Sequence, residues 1–140
     1  MNHPQLARLK GLADAGIQAF LDRWPADEAD GLYAPVHYLM ALGGKRLRPV
    51  LGLAAAEAEG GSAAAAMPAA LAVELFHNFT LMHDDIMDAA PLRRGQATVH
   101  AKWDANAAIL SGDAMYTLSH LALMDLAPEA LVRVLPVYNH

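Results

Sequence analysis

The 140-residue chain has no cysteine, which excludes disulfides, cysteine-ligated zinc, iron–sulfur clusters and thiol nucleophiles. Aromatic residues are scarce at 6%, and isoleucine and threonine occur only three times each, a composition that disfavours strands. Long apolar runs are missing as well. The longest, Ala63 to Val73, is eleven residues and contains Pro68, against the roughly 18 needed to cross a bilayer. No apolar stretch before Asp14 could serve as a secretory signal core, so a soluble, cytoplasmic protein is expected. Basic residues are outnumbered, ten against fifteen acidic, and the net charge of -5 argues against nonspecific nucleic-acid binding. The GxxxxGK[ST] loop of the common nucleotide-binding proteins is absent.

What is present favours helix. Hydrophobic residues make up 55% of the chain, enough for a folded core, and thirty residues are alanine. Leu6, Leu9, Ala13, Ile17 and Phe20 recur at intervals of three and four, predicting a helix from Pro4 to near Arg23 that ends before Pro25. Residues 27–31 read as a loop. Pro35 opens a short helix over 36–42, Gly43 and Gly44 interrupt it, and Pro49 stands in the first turn of a helix ending near Gly60. The clearest helix is predicted from about Pro68 to Asp88, with Leu71, Leu75, Phe79, Met82 and Ile86 on one stripe and His77, Asp84 and Asp88 on another. A further helix follows over roughly 104–126, and Pro128 and Pro136 bracket a last short one. No segment alternates convincingly, so the expected fold is all-α.

Two clusters of charge carry chemistry. Asp84, Asp85 and Asp88 crowd adjoining parts of one helix surface with no basic residue among them. A divalent cation such as Mg²⁺ would relieve their repulsion, because it takes a few carboxylate oxygens together with water and substrate phosphates. A solvated acidic helix end is the competing reading; the surrounding Phe79, Leu81, Met82, Ile86 and Met87 favour a site. Lys45, Arg46, Arg48, Arg93 and Arg94 are half of all the basic residues and lie in two short segments, each beside glycine. Glycine permits close backbone approach and arginine presents a planar fork of donors, a combination suited to diphosphate. Acidic and basic groups then divide the work: carboxylates would reach an anion through shared magnesium, and the cations would complete its neutralisation.

GGKRLRP at Gly43 to Pro49, HNFTLMHDDIMD at His77 to Asp88 and PLRRGQATVH at Pro91 to His100 stand in the order and spacing of a known family. The chain resembles the trans-isoprenyl diphosphate synthases, the polyprenyl synthetase family. The resemblance implies an isoprenoid synthase-type helical bundle, with residues 1–140 as the amino-terminal half of the domain. It implies that Lys45, Arg48, His77 and Arg94 hold isopentenyl diphosphate, and that Asp84 and Asp88 ligate Mg²⁺. Asp85 belongs to the same catalytic motif, Arg93 clamps an allylic diphosphate, and Arg46 is part of the basic motif without a defined role. The implied reaction is head-to-tail condensation of isopentenyl diphosphate with an allylic diphosphate, in an enzyme that pairs as a homodimer.

Product length in this family is set by side chains below the aspartate motif. Phe79 lies five residues before Asp84, about 7.5 Å along a helix, and Thr80 beside it is small. This pattern resembles the geranylgeranyl type; Phe76, one turn deeper, is either a second stop or core packing. The open alternatives are a farnesyl or longer-chain synthase, a non-catalytic half-site subunit of a split synthase, and a generic magnesium-binding helical domain. Family members run to about twice this length and carry a second aspartate-rich motif, and no second DDxxD follows Asp88. The expectation is therefore a partial chain that is inactive alone. His83 is expected to be a hydrogen-bonded packing residue and Asp113 a structural one. Trp24 and Trp103 are expected in packing, and His100 in either a capping or a substrate role.

Overall fold

The structure, a computed structural model, describes residues 3–140 apart from the side chain of Asp30. Seven α-helices and one small hairpin are found among the described residues. Helix α1 (Pro4–Leu21) starts with proline at its amino end, where the missing N–H costs nothing, and buries Leu9, Ala13, Ile17 and Phe20. The 27–31 loop contains a single 3₁₀ turn at Ala29–Gly31. Helices α2 (Ala34–Ala41) and α3 (Leu47–Ala58) flank the Gly43–Arg46 loop.

Helix α4 (Ala63–Met87) begins five residues before the expected start at Pro68. The Ser62 hydroxyl accepts a 3.2 Å hydrogen bond from the Ala65 N–H and caps the helix, and the alanine run propagates it through Pro68, which removes only one backbone donor. The helix stops in a Schellman arrangement: the Ala90 N–H donates to the Asp85 carbonyl at 2.9 Å and the Ala89 N–H to that of Ile86 at 3.1 Å. Ala89 occupies the left-handed position with φ 48°, where glycine is usual.

The all-helical expectation missed one feature. Strands β1 (Leu92–Arg93) and β2 (Gln96–Ala97) pair antiparallel across Arg94 and Gly95, whose φ values of 54° and 79° suit a tight two-residue turn. Strands of two residues are too short to show alternation. Beyond them lie α5 (Val99–Lys102), α6 (Ala105–Leu123), capped by an Asp104 carboxylate accepting from the Ala107 N–H at 2.8 Å, and α7 (Pro128–Tyr138).

Helices α4 and α6 form the most extensive contact, α3 lies against α4, and α1 covers both α3 and α4. The main core gathers Phe20, Leu39, Leu75, Met82, Met115 and Leu123 from α1, α2, α4 and α6. A smaller core of Leu9, Val50 and Leu53 sits under α1 and α3. Gly112 sets the spacing of α4 and α6: a Cβ built there would stand 2.3 Å from Nε2 of His83. Tyr138 moors α7 by donating its hydroxyl to Ser119 Oγ at 2.8 Å. No helix is long and apolar enough to cross a membrane.

Candidate functional site

The Gly43–Arg46 loop turns sharply, with φ 71° at Gly43 and 50° at Arg46. That turn leaves Lys45 and Arg48 exposed on either side of Arg46, whose own side chain is buried. Lys45 and Arg48 then meet His77 of α4 and Arg94 of the hairpin around one cavity of about 440 Å³. Four residues assigned to one anion by motif resemblance thus converge from four segments, the loop, α3, α4 and the hairpin turn. Gly44 belongs to the same wall, and its lack of a side chain is structural: a Cβ there would come 3.1–3.2 Å from the Arg94 guanidinium, which lies against it.

Positive charge dominates this cavity, whose lining also includes Arg46 and the acidic Glu74. Burial lowers the pKa of His77, and the Arg48 charge lowers it further, so the imidazole is neutral at pH 7. Burial, and then the neighbouring Arg46 charge, also pull Arg94 below the usual guanidinium value. Glu74 offsets part of both shifts without reversing either.

Two helical turns along α4 from His77, about 10.5 Å, stand the aspartates. Their environments differ. Asp85 is 3% exposed and accepts two hydrogen bonds from Arg93, Nε to Oδ2 at 2.7 Å and Nη2 to Oδ1 at 2.8 Å. That paired geometry raises the Arg93 pKa and fixes its guanidinium with Nη1 unused. Asp84 and Asp88 are exposed, and among the described residues neither takes part in an ion pair. All three carboxylates sit at the carboxy-terminal end of α4, where the helix dipole disfavours negative charge, and no basic residue lies in that last turn. Among the described residues no three His, Asp or Glu side chains converge tightly enough to cage a metal. Two free carboxylates one turn apart fit magnesium, which completes its shell with water and substrate oxygens.

The residues below the aspartates form an aromatic cluster. The Phe79 ring lies 4.8 Å from His83, 5.4 Å from Tyr116 of α6 and 5.5 Å from Phe76. Phe76 also reaches Tyr138 at 5.9 Å, so it packs as well as standing one turn deeper. Thr80 donates its hydroxyl to the His77 carbonyl at 2.8 Å and adds no bulk beside Phe79. His83 packs as expected, its Nε2 3.3 Å from the Ile109 carbonyl oxygen, while Asp113 faces solvent 3.8 Å from it. His100 lies 3.2 Å from Thr98 at the hairpin base and lines no part of the basic cavity. Trp24 packs at a tilt against Tyr33, and Trp103 meets Tyr38 edge-on.

Sequence reasoning passed over Glu74 and Asp14. Glu74 is 4% exposed and accepts from Arg46 Nη1 at 2.9 Å; Asp14 of α1 accepts from Arg46 Nε at 3.0 Å. Burial would raise the Asp14 pKa, but the bonds from Lys10 and Arg46 outweigh it and hold the carboxyl low. The available signal was a single acidic residue inside the apolar run from Leu71 to Phe76.

Comparison with known proteins places the chain in one family. The Polyprenyl synthetase family model matches residues 29–140. A geranylgeranyl diphosphate synthase of Methanosarcina mazei is 48% identical over 122 residues, covering 87% of this chain and 36% of that protein. A (2E,6E)-farnesyl diphosphate synthase of Mycobacterium bovis is 50% identical over 82 residues, 59% of this chain and 23% of that protein. Among solved structures, a geranylgeranyl pyrophosphate synthase superimposes with a TM-score of 0.90 at 48% identity, over 99% of this chain and 41% of the other. The enzyme from Pyrococcus horikoshii gives 0.87 at 38% identity, over 95% and 41%. The chain spans about a third of the length of the first curated relatives it matches. On these matches and on the three motifs that shape its site, the chain belongs to the polyprenyl synthetase family.

Proposed function

We propose that this chain carries the isopentenyl diphosphate cavity and the first magnesium-binding motif of a trans-prenyltransferase that makes geranylgeranyl diphosphate. The supporting observation is the convergence of Lys45, Arg48, His77 and Arg94 on one cavity, two helical turns from three aspartates on the same helix. That separation suits two anions held by different means. The cavity takes isopentenyl diphosphate directly on cations, and Asp84 with Asp88 would hold Mg²⁺ to serve an allylic diphosphate. When bound, magnesium supplies positive charge that stabilises the departing diphosphate. Arg93, locked by Asp85, keeps its Nη1 donors for the allylic diphosphate. In the condensation the allylic carbon–oxygen bond breaks, the isopentenyl double bond attacks the cation formed, and a proton leaves. Phe79 blocks the tail below the aspartates and Thr80 leaves the adjoining space open, which supports a product longer than farnesyl.

Calorimetric titration of the chain with isopentenyl diphosphate, without metal, tests the cavity. Saturable binding that Lys45→Ala and Arg48→Ala each weaken by about tenfold is expected for lost charge-assisted contacts. Unchanged affinity in both variants refutes the assignment.

A further inference from the structure

We propose that Arg46 is a positioning residue for the basic cavity, acting through Lys45 and Arg48 rather than on the anion itself; this rests on the diphosphate reading of the cavity. The loop carries three cations in a row of four residues, yet only two face solvent. Arg46 is 5% exposed. Each guanidinium nitrogen is committed: Nε to Asp14 Oδ1 at 3.0 Å, Nη1 to Glu74 Oε1 at 2.9 Å and Nη2 to the Met40 carbonyl at 2.8 Å. These partners come from α1, α4 and the end of α2, so one planar group ties three helices to the loop.

The backbone shows what is being held. Arg46 adopts φ 50° and ψ 37°, a left-handed conformation that a side chain other than glycine disfavours. Its carbonyl accepts the 3.1 Å bond from Val50 N–H that starts α3. The same turn separates Lys45 from Arg48 and sets both on the cavity wall. Glu74 lies one turn before His77 on α4, so the bond to Glu74 also registers the loop against the cavity's imidazole. The Glu74 carboxylate is steadied in turn by Asn78 Nδ2 at 3.3 Å. Glu74 offsets part of the Arg46 charge felt at Arg94, so geometry is the main contribution of Arg46 and its residual field a smaller one. Asp14 precedes the residues matched by the family model, so α1 adds a brace from outside that match.

The test is a double-mutant cycle read by calorimetric titration with inorganic pyrophosphate. The proteins are the wild-type chain, Lys45→Ala, Arg46→Met/Glu74→Met, and the triple variant. Removing both members of the buried pair with residues of similar volume preserves folding better than removing one. Expected results are a wild-type-like helical spectrum and cooperative melt for Arg46→Met/Glu74→Met with at least tenfold weaker pyrophosphate binding. Lys45→Ala should cost several-fold in the wild-type background and less than twofold in the other, the non-additivity of residues that act together. Affinity within twofold of wild type, or an equal Lys45→Ala cost in both backgrounds, overturns the positioning role and leaves the cavity assignment standing. A folded wild-type chain that does not bind pyrophosphate overturns the cavity assignment itself. If the paired variant does not fold, Arg46→Lys decides: it keeps the charge but cannot serve three acceptors, so weakened binding with a normal melt supports the role and wild-type binding overturns it.

Discussion

Replacing Asp85 and Asp84 one at a time by asparagine should have opposite effects on stability and on metal binding. Asp85 is buried and takes two charge-assisted bonds from Arg93. Asparagine keeps the shape but turns one acceptor into a donor that faces the guanidinium. Breaking a fully buried ion pair costs about 3–5 kcal/mol, and Arg93, with its side chain 24% exposed, recovers part of that through water. A net loss of about 2–3 kcal/mol follows, lowering Tm by roughly 5–10 °C for a domain of this size. Among the described residues Asp84 makes no ion pair or side-chain hydrogen bond, feels Arg93 only at longer range, and sits at the negative end of α4. Removing its charge should raise stability by about 0.3–1 kcal/mol. Magnesium affinity in the presence of pyrophosphate should order the two variants the other way, Asp84→Asn losing far more than Asp85→Asn. Thermal melts followed by circular dichroism, with and without magnesium pyrophosphate, measure both quantities. An Asp84→Asn melt depressed as far as that of Asp85→Asn refutes the division of roles.

Gly112→Ala should destabilise by about 1–3 kcal/mol through overlap with His83, and adding His83→Ala should restore most of it; denaturant titration without that recovery rejects the contact as the cause. In an active synthase bearing this sequence, Phe79→Ala should shift the product to longer chains, read by chromatography of the dephosphorylated products, and an unchanged product rejects Phe79 as the stop. His77 has a folded pKa below its unfolded value near 6.5, so the stability it contributes is present above that pH and is lost as pH falls toward the folded pKa. His77→Gln should therefore flatten the fall in Tm below pH 6.5 relative to wild type, and an unaltered slope counts against the shifted imidazole.

The helices were legible wherever spacing and caps agreed. Helix α1 follows its apolar stripe almost to the residue, and Asp104 marks the start of α6. The start of α4 was obscured because proline at 68 reads as a beginning, whereas Ser62 and a run of alanines suffice to start it earlier. The hairpin escaped because two-residue strands leave no periodicity; its signal is the turn chemistry of Arg94–Gly95. Motif order named the cavity's cations and the aspartates. What it could not separate is the two kinds of member within each motif. Arg46 and Arg48 look alike as letters, as do Asp84 and Asp85, and only burial distinguishes the one that braces from the one that faces solvent.

Among the described residues, the four non-glycine residues in left-handed conformation, Ala29, Arg46, Ala89 and Arg94, fall into two classes for anyone engineering this scaffold. Backbone preference alone favours glycine at all four, by about 1 kcal/mol each. At the two alanines that advice is sound, and Ala89 completes the helix stop that glycine makes best. At Arg46 glycine would strand the buried Glu74 carboxylate and cost far more than the backbone gains, whereas at Arg94 it would trade a cavity cation for backbone comfort, a loss that a redesign guided by melting temperature alone would not register.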